Sequence, residues 1–349
     1  MLGLCCACGS EPDALNSDEN SPSDDPADHE VDDTLTYKIE VSAPRWVVPS
    51  PALPAQLETM PSNNNVDIIL WKGRLFMAWR TAPTHFASAK THMMVVSSQD
   101  DGKTWDFEAD VAMNTDVREP RFLAMAGKLQ LIFMQLGDYA GAFEPKRMMR
   151  MMRQGLGTWH PPEVMVDGPE LPWDVKVRGS IAYMTSYAGD HYTDKKNANL
   201  QVYFKQSLDG QTWTRVGDKD HVYSGGVSEV AFEFDQDGSV WAVTRNEDGD
   251  KSGRGSHLCY APAEDISAWQ CPDKSDPERY DSPELFRHGK DLFLVARRDI
   301  GGPFGDDPTL AEYSMRPKRT ALYRIDKAAR KIVHIQDLPG AGDTAFPSV

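Results

Sequence analysis

The sequence predicts an all-β fold, a ring of four-stranded sheets, and three observations point to it. Five segments share one plan: a short polar start, an apolar strand, a glycine turn and a second apolar strand. A small Asp-Gly-Thr-Trp turn is written twice at the end of strand-like runs, as SSQDDGKTW at 97–105 and SLDGQTW at 207–213. The apolar runs, FMAWR and LFLVARR among them, are dense in Phe, Val, Leu and Met, as strands buried between neighbouring sheets are. The chain has 349 residues, with 24 Pro and 26 Gly, so it is long enough for one large domain and well supplied with turn formers.

From the N-terminus, MLGLCCACGS places Ala7 and Cys8 after a short apolar run and before a polar linker. This resembles the cleavage site of a bacterial lipoprotein signal, which implies that residues 1–8 are residual signal and that Cys8 carries the lipid. Gly9 after the cysteine implies an outer-membrane address, with an extracellular or periplasmic one beside it. A cytosolic protein with an unconnected cysteine cluster is the competing reading. Residues 9–36 carry ten acids and no Lys or Arg, which makes them an acidic tether expected to stay disordered. Without those acids the net charge of −16 falls to −6. Nothing in this balance points to nucleic acid, and no apolar run is long enough to span a bilayer. Membrane contact is therefore expected only through the lipid anchor, on a protein expected to be a monomer.

Residues 37–349 form the expected propeller domain. Its repeats are NNNVDIILWKGRLFMAWR (63–80), REPRFLAMAGKLQLIFMQ (118–135), KVRGSIAYMTSY (176–187), SEVAFEFDQDGSVWAVTR (228–245) and SPELFRHGKDLFLVARR (282–298). A spacing of roughly 50 to 60 residues suits four-stranded blades packed radially. A sixth start, GDTAFPSV, ends the sequence. The expectation is a six-bladed β-propeller with its sixth blade incomplete; the alternative is closure by LTYKIEVSAPRW near the N-terminus. Between the fourth and fifth repeats, Cys259 and Cys271 bracket a strand-loop-strand stretch and form either a disulfide in an oxidising compartment or two separate thiols.

In such a ring the first strand of each blade lines the central channel, so strand starts from distant sequence meet at one mouth. They contribute Asn64, Asn65 and Asp67; Asp116, Arg118 and Glu119; Lys176; Ser228 and Glu229; Asp281 and Glu284; and Asp343. The ends of the second strands add Arg80, Arg245 and Arg298 with their neighbours Glu247 and Arg297. Arginines and carboxylates recurring around one axis suit a polar, hydroxyl-rich or carboxylated ligand. Glu119, Asp116 and Glu229 are candidates for the carboxyl pair that glycoside hydrolysis requires. Tyr183, Tyr187 and Tyr192 are candidates for stacking on a sugar face. No residue spacing suggests a metal site or a cofactor.

The SSQDDGKTW turn resembles the Asp box, S-x-D-x-G-x-T-W, of the sialidase superfamily. Ser98, Asp100, Gly102, Thr104 and Trp105 match every defined position, and SLDGQTW is one residue shorter. With DVREPRF, VTRNEDG, YDSPELFRHG and GDTAFPS, the resemblance covers nearly all of 60–349 and is similar to a bacterial subgroup of that superfamily. It implies an arginine triad, here Arg118, Arg245 and Arg298; an acid/base at Asp67 or Asp116; and Glu229 as partner of a tyrosine or as an independent carboxylate. The F-R-I-P motif of sialidases is absent, with NNNVD in its place. The implied function is a glycan-acting hydrolase with Asp67, Asp116, Glu119 and Glu229 as catalytic candidates. Arg80, Arg118, Arg245, Glu284, Arg298 and Asp343 are the substrate-binding candidates. The second reading is a propeller that binds carbohydrate or protein without catalysis, and the third a lyase using a Tyr or His base.

Overall fold

A computed structural model describes residues 31–192, 199–300, 316–339 and 346–349. Five antiparallel sheets follow one another along the chain. Blade 1 is β1 (Ser62–Trp71), β2 (Arg74–Ala82), β3 (His92–Ser98) and β4 (Asp106–Ala112). Blade 2 is β5 (Val117–Met125), β6 (Lys128–Leu136), β7 (Pro145–Gly155) and β8 (Thr158–Trp159), with β9 (Glu163–Asp167) also paired to β7. Blade 3 is β10 (Leu171–Arg178), β11 (Ile181–Asp190), β12 (Asn199–Ser207) and β13 (Thr214–Arg215), with β14 (Tyr223–Gly225) beside β12. Blade 4 holds three strands, β15 (Val230–Phe234), β16 (Val240–Thr244) and β17 (Leu258–Ala261). Blade 5 is β18 (Tyr280–His288), β19 (Asp291–Asp299), β20 (Lys318–Asp326) and β21 (Lys331–Leu338).

The fold is thus an all-β propeller, and among the described residues it has five blades rather than the six expected. Of the GDTAFPSV start, the described residues 346–349 form no strand. Ser348 instead lies against β1, where its Oγ donates to Asp67 at 2.8 Å and accepts the Ile68 N–H at 3.0 Å. The LTYKIEVSAPRW segment adds no strand either. It runs without regular structure: Tyr37 meets His288 edge to face and Ile39 packs on Phe293 of blade 5, while Val47, Val48 and Leu53 just after it pack on the blade 1 cluster of Trp79, Met94 and Trp105. The last residues of the expected tether also touch blade 5, with the Asp33 carboxylate 2.6 Å from Arg287.

The core lies between the blades, as expected of near-continuous apolar strands. One cluster joins blades 1 and 2 through Phe76, Val95, Phe122 and Phe133. A second joins blades 2, 3 and 4 through Met134, Phe204 and Phe232, and a third joins blades 4 and 5 through Trp241, Leu285 and Leu294. The SSQDDGKTW turn links β3 to β4 and folds on its own polar groups. Ser98 Oγ accepts the Gly102 N–H at 2.8 Å, and Asp100 accepts the Thr104 N–H and hydroxyl at 2.8 and 2.7 Å. Gly102 takes a φ of +71°, a conformation glycine adopts without steric cost. Trp105 is then buried against blade 1.

Candidate functional site

A defect repeated in the inner strands builds the site. The β1–β2 ladder slips at Asn65, the β5–β6 ladder between Arg118 and Arg121, the β10–β11 ladder at Trp173, and the β18–β19 ladder between Asp281 and Glu284. Asn65, Glu119 and Ser282 hold φ near +50° at these slips. A bulge leaves one residue out of the ladder and re-aims its side chain. In blades 2 and 5 a proline follows directly, as R-E-P and D-S-P, and Pro has no N–H to give a ladder. The left-handed backbone at Glu119 costs about 1–2 kcal/mol, which the surrounding ladder must offset.

Two charge clusters sit at this level. In the first, Arg80 donates from Nε to Asp116 at 2.9 Å, and Arg118 donates from Nε to the other Asp116 oxygen at 2.7 Å. Beside them Asn65 Nδ2 donates to Glu119 Oε1 at 2.8 Å, while Glu119 Oε2 has no hydrogen-bond partner among the described residues. In the second, Arg245 bridges Glu229 at 2.5 Å and Glu247 at 2.6 Å, and its Nε lies 3.4 Å from Asp281. The Ser282 N–H donates to Glu229 at 3.0 Å, which ties blade 4 to blade 5. Tyr192 points its hydroxyl at both Glu247 oxygens, 3.2 Å away, and stacks on His191 with centroids 3.7 Å apart. His191 itself lies between Glu247 at 3.3 Å and Asp248 at 2.9 Å.

These environments push the acids apart. Burial raises Glu119, against the pull of Arg121, Arg118 and Asn65. Burial likewise raises Glu229, and the neighbouring Glu247 and Glu119 charges add to the rise against Arg245. Glu247 goes the other way: burial opposes ionisation, but Arg245 and the His191 hydrogen bond hold it well below the usual carboxylate range. His191 is raised to about 9, since its bonds to Asp248 and Glu247 outweigh its burial. Burial and the Glu247 charge lift the Tyr192 hydroxyl well above its ordinary value.

Beneath this level Trp173 reaches from blade 3 to donate its indole N–H to Pro283 O of blade 5 at 3.0 Å. The Arg121 guanidinium of blade 2 lies over its ring at 5.0 Å. On the far side is a cavity of about 770 Å³ lined by Asp67, Arg121, Asp174, Lys176, Glu233 and Glu284. There Lys176 Nζ meets Glu284 at 3.1 Å and Asp174 at 3.5 Å. Charges are paired at both levels, and the candidate site lies at the bulge level because Glu119 there keeps one carboxylate oxygen without a hydrogen-bond partner among the described residues. A smaller cleft of about 190 Å³ adjoins the bulge level between Phe143, Tyr187 and His191.

The structure therefore brings together Asp116, Glu119, Arg80, Arg118, Glu229 and Arg245, and separates the other candidates. Asp67 is two residues past its bulge, so it faces the lower cavity and not the mouth. Its Oδ2 accepts the Phe122 N–H at 2.6 Å, a tether between blades that Asp174 repeats toward Phe232 at 2.9 Å. Glu284 is likewise one inward position too deep. Arg80 is fully buried and holds Asp116 and the loop carbonyls of Thr84 and Phe86, so no surface of it is left for a ligand. Arg298 pairs with Asp337 at 3.1 Å on the outer side of blade 5. Its neighbour Arg297 stands opposite Asp281, as Arg80 stands opposite Asn64, and adjacent residues in a strand face opposite ways. Asp343 and Cys8 lie outside the described residues. Cys259 and Cys271 are joined by a disulfide. The His191, Tyr192 and Glu247 group was not assembled from sequence, because β11 and the end of β16 meet only in three dimensions.

No protein-family model matches the chain, and no curated protein matches it in sequence. Solved structures do resemble it. A mutant of Trypanosoma rangeli sialidase displaying trans-sialidase activity aligns with a TM-score of 0.53 at 12% identity, over 82% of this chain and 50% of that one. A thermostable family-43 glycoside hydrolase aligns with a TM-score of 0.51 at 10% identity, over 82% and 98%. A Penicillium chrysogenum alpha-L-arabinanase complexed with arabinobiose gives 0.48 at 17% identity, over 69% and 74%. Fold and site together define a β-propeller with a ring of carboxylates and arginines at one end of its channel.

Proposed function

We propose that this propeller is a glycoside hydrolase acting at the bulge level, with Glu119 as proton donor to the departing sugar oxygen. The carrying observation is the state of Glu119: a buried carboxyl with one oxygen held by Asn65 and the other without a hydrogen-bond partner among the described residues. Burial keeps such a group protonated to higher pH than an exposed glutamate, and a proton donor needs that. The second group is the ionised Glu247, which accepts the hydrogen bond of the Tyr192 hydroxyl and takes its proton as Tyr192 attacks the sugar carbon from which the Glu119-protonated oxygen departs. Arg245, whose other arm Glu229 holds, fixes Glu247, and Asp116, locked between two arginines, positions Arg118. The propeller scaffold is one that a sialidase and a family-43 glycoside hydrolase share.

The test is turnover of a panel of chromogenic glycosides by the intact chain and by Glu119→Gln. Loss of a general acid costs about a hundred- to ten-thousand-fold in kcat. The alkaline limb of the wild-type pH profile reports Glu119, since activity falls as pH rises through its raised pKa and the donor loses its proton. Full activity in the variant, or an unchanged alkaline limb, removes Glu119 from this role.

A further inference from the structure

We infer that the mouth takes an uncharged, hydroxyl-rich sugar and discriminates against one bearing a carboxylate. This rests on the glycan-acting reading above and names its substrate class.

A sugar carboxylate is best held by the two parallel N–H groups of a guanidinium fork. The forks here already face carboxylates of the protein. Arg80 and Arg118 share Asp116, with Nε contacts of 2.9 and 2.7 Å. Arg245 turns Nη1 to Glu229, Nη2 to Glu247 and Nε toward Asp281, at 2.5, 2.6 and 3.4 Å. Arg279 lies 3.3 Å from the same Asp281. A carboxylated ligand would have to displace one of these buried anions and leave it unpaired, or enter beside it as a like charge. Glu119 Oε2, itself an anion or acid that would repel or compete with a carboxylate, is without a hydrogen bond among the described residues. The Arg245 Nε and Arg279 Nη2 atoms face Asp281, and the other unsatisfied polar atoms at this level are neutral. Asn65 Oδ1, Asn246 Oδ1 and the hydroxyls of Ser228 and Ser282 are buried and lack partners among the described residues. Neutral amide and hydroxyl groups complement sugar hydroxyls, which both donate and accept. Phe86, whose carbonyl accepts from Arg80, and Tyr192, whose hydroxyl meets Glu247, stand 63% and 46% exposed, aromatic faces of the kind on which the C–H side of a sugar ring packs.

The experiment uses matched nitrophenyl glycosides that differ only at the carboxylate: glucoside against glucuronide and galactoside against galacturonide in both anomers, with a sialoside added. Binding to the intact chain is measured by calorimetry and turnover by release of nitrophenol. The neutral member of a pair is expected to bind more tightly by about tenfold or more. In Glu247→Gln, which releases one arm of Arg245, the preference is expected to narrow. Tighter binding of the uronide or the sialoside overturns the inference and leaves the hydrolase reading standing. Preferential binding of the neutral sugar without turnover supports the inference and counts against hydrolysis. Binding of none of them overturns both.

Discussion

Glu108 shows how a single side chain joins two blades. It is buried on β4, accepts the Ser97 hydroxyl of its own blade at 2.7 Å and meets both Nε and Nη2 of Arg153 on β7 at 3.0 Å. The indole N–H of Trp159 and the Gly157 N–H reach its second oxygen at 3.2 and 3.3 Å. Removing one partner of such a network leaves a buried cation uncompensated. Glu108→Ala is therefore expected to lower stability by about 3–5 kcal/mol in denaturant titration, with the spectrum of the folded state retained. A loss under about 1 kcal/mol would mean that water replaces the carboxylate and that the blades are joined by apolar packing alone.

At the scale of the element, blade 4 is the irregular member. Its third strand, β17, has four residues, and no fourth strand lies outside it among the described residues. The segment after β17 is tied back by one isolated bridge, Tyr260 to Gln270, and by the disulfide between Cys259 and Cys271. Covalent closure of the loop stands where a ladder stands in the other blades. The double variant Cys259→Ser/Cys271→Ser is expected to lose about 2–4 kcal/mol relative to the oxidised protein. Equal melting temperatures for the oxidised protein and the variant would show that the bond contributes nothing to the fold. The sequence favours this disulfide over two separate thiols, because the two cysteines bracket one strand-loop-strand stretch, and the structure joins them.

Over the whole molecule, the inner channel concentrates acids that burial raises: Asp67, Glu119, Glu229, Glu233 and Glu284. An acid raised in the folded state binds more protons there than when unfolded, so stability falls as pH climbs from its unfolded to its folded pKa. His191 acts in the same direction. Its pKa rises from 6.5 to about 9, so its stabilising charge is complete below 6.5 and lost through 9. Glu247, depressed by Arg245 and His191, gives stability that is present above its unfolded pKa and lost only in stronger acid. The melting temperature is therefore expected to be higher near pH 5 than near pH 9. Calorimetry across that range checks it, and a rise toward alkaline pH would show that the channel charges are solvated rather than buried.

The sequence by itself determined the all-β class, the plan of repeated blades and the small turns. Each of these rests on local signals: alternating apolar runs, glycine at left-handed positions, and side chains that bond their own backbone. It also marked Glu119, Glu229, Arg118 and Arg245, because each lies at a recurring place in the repeat. The tertiary structure alone decided the number of blades, since pairing of the last segment depends on neighbours far away in sequence. It decided too that Asp67 and Glu284 lie below Trp173, and that Arg297 rather than Arg298 stands opposite Asp281. A bulge shifts a strand by one residue, and in a period of two that single step exchanges the inside of the channel for the outside.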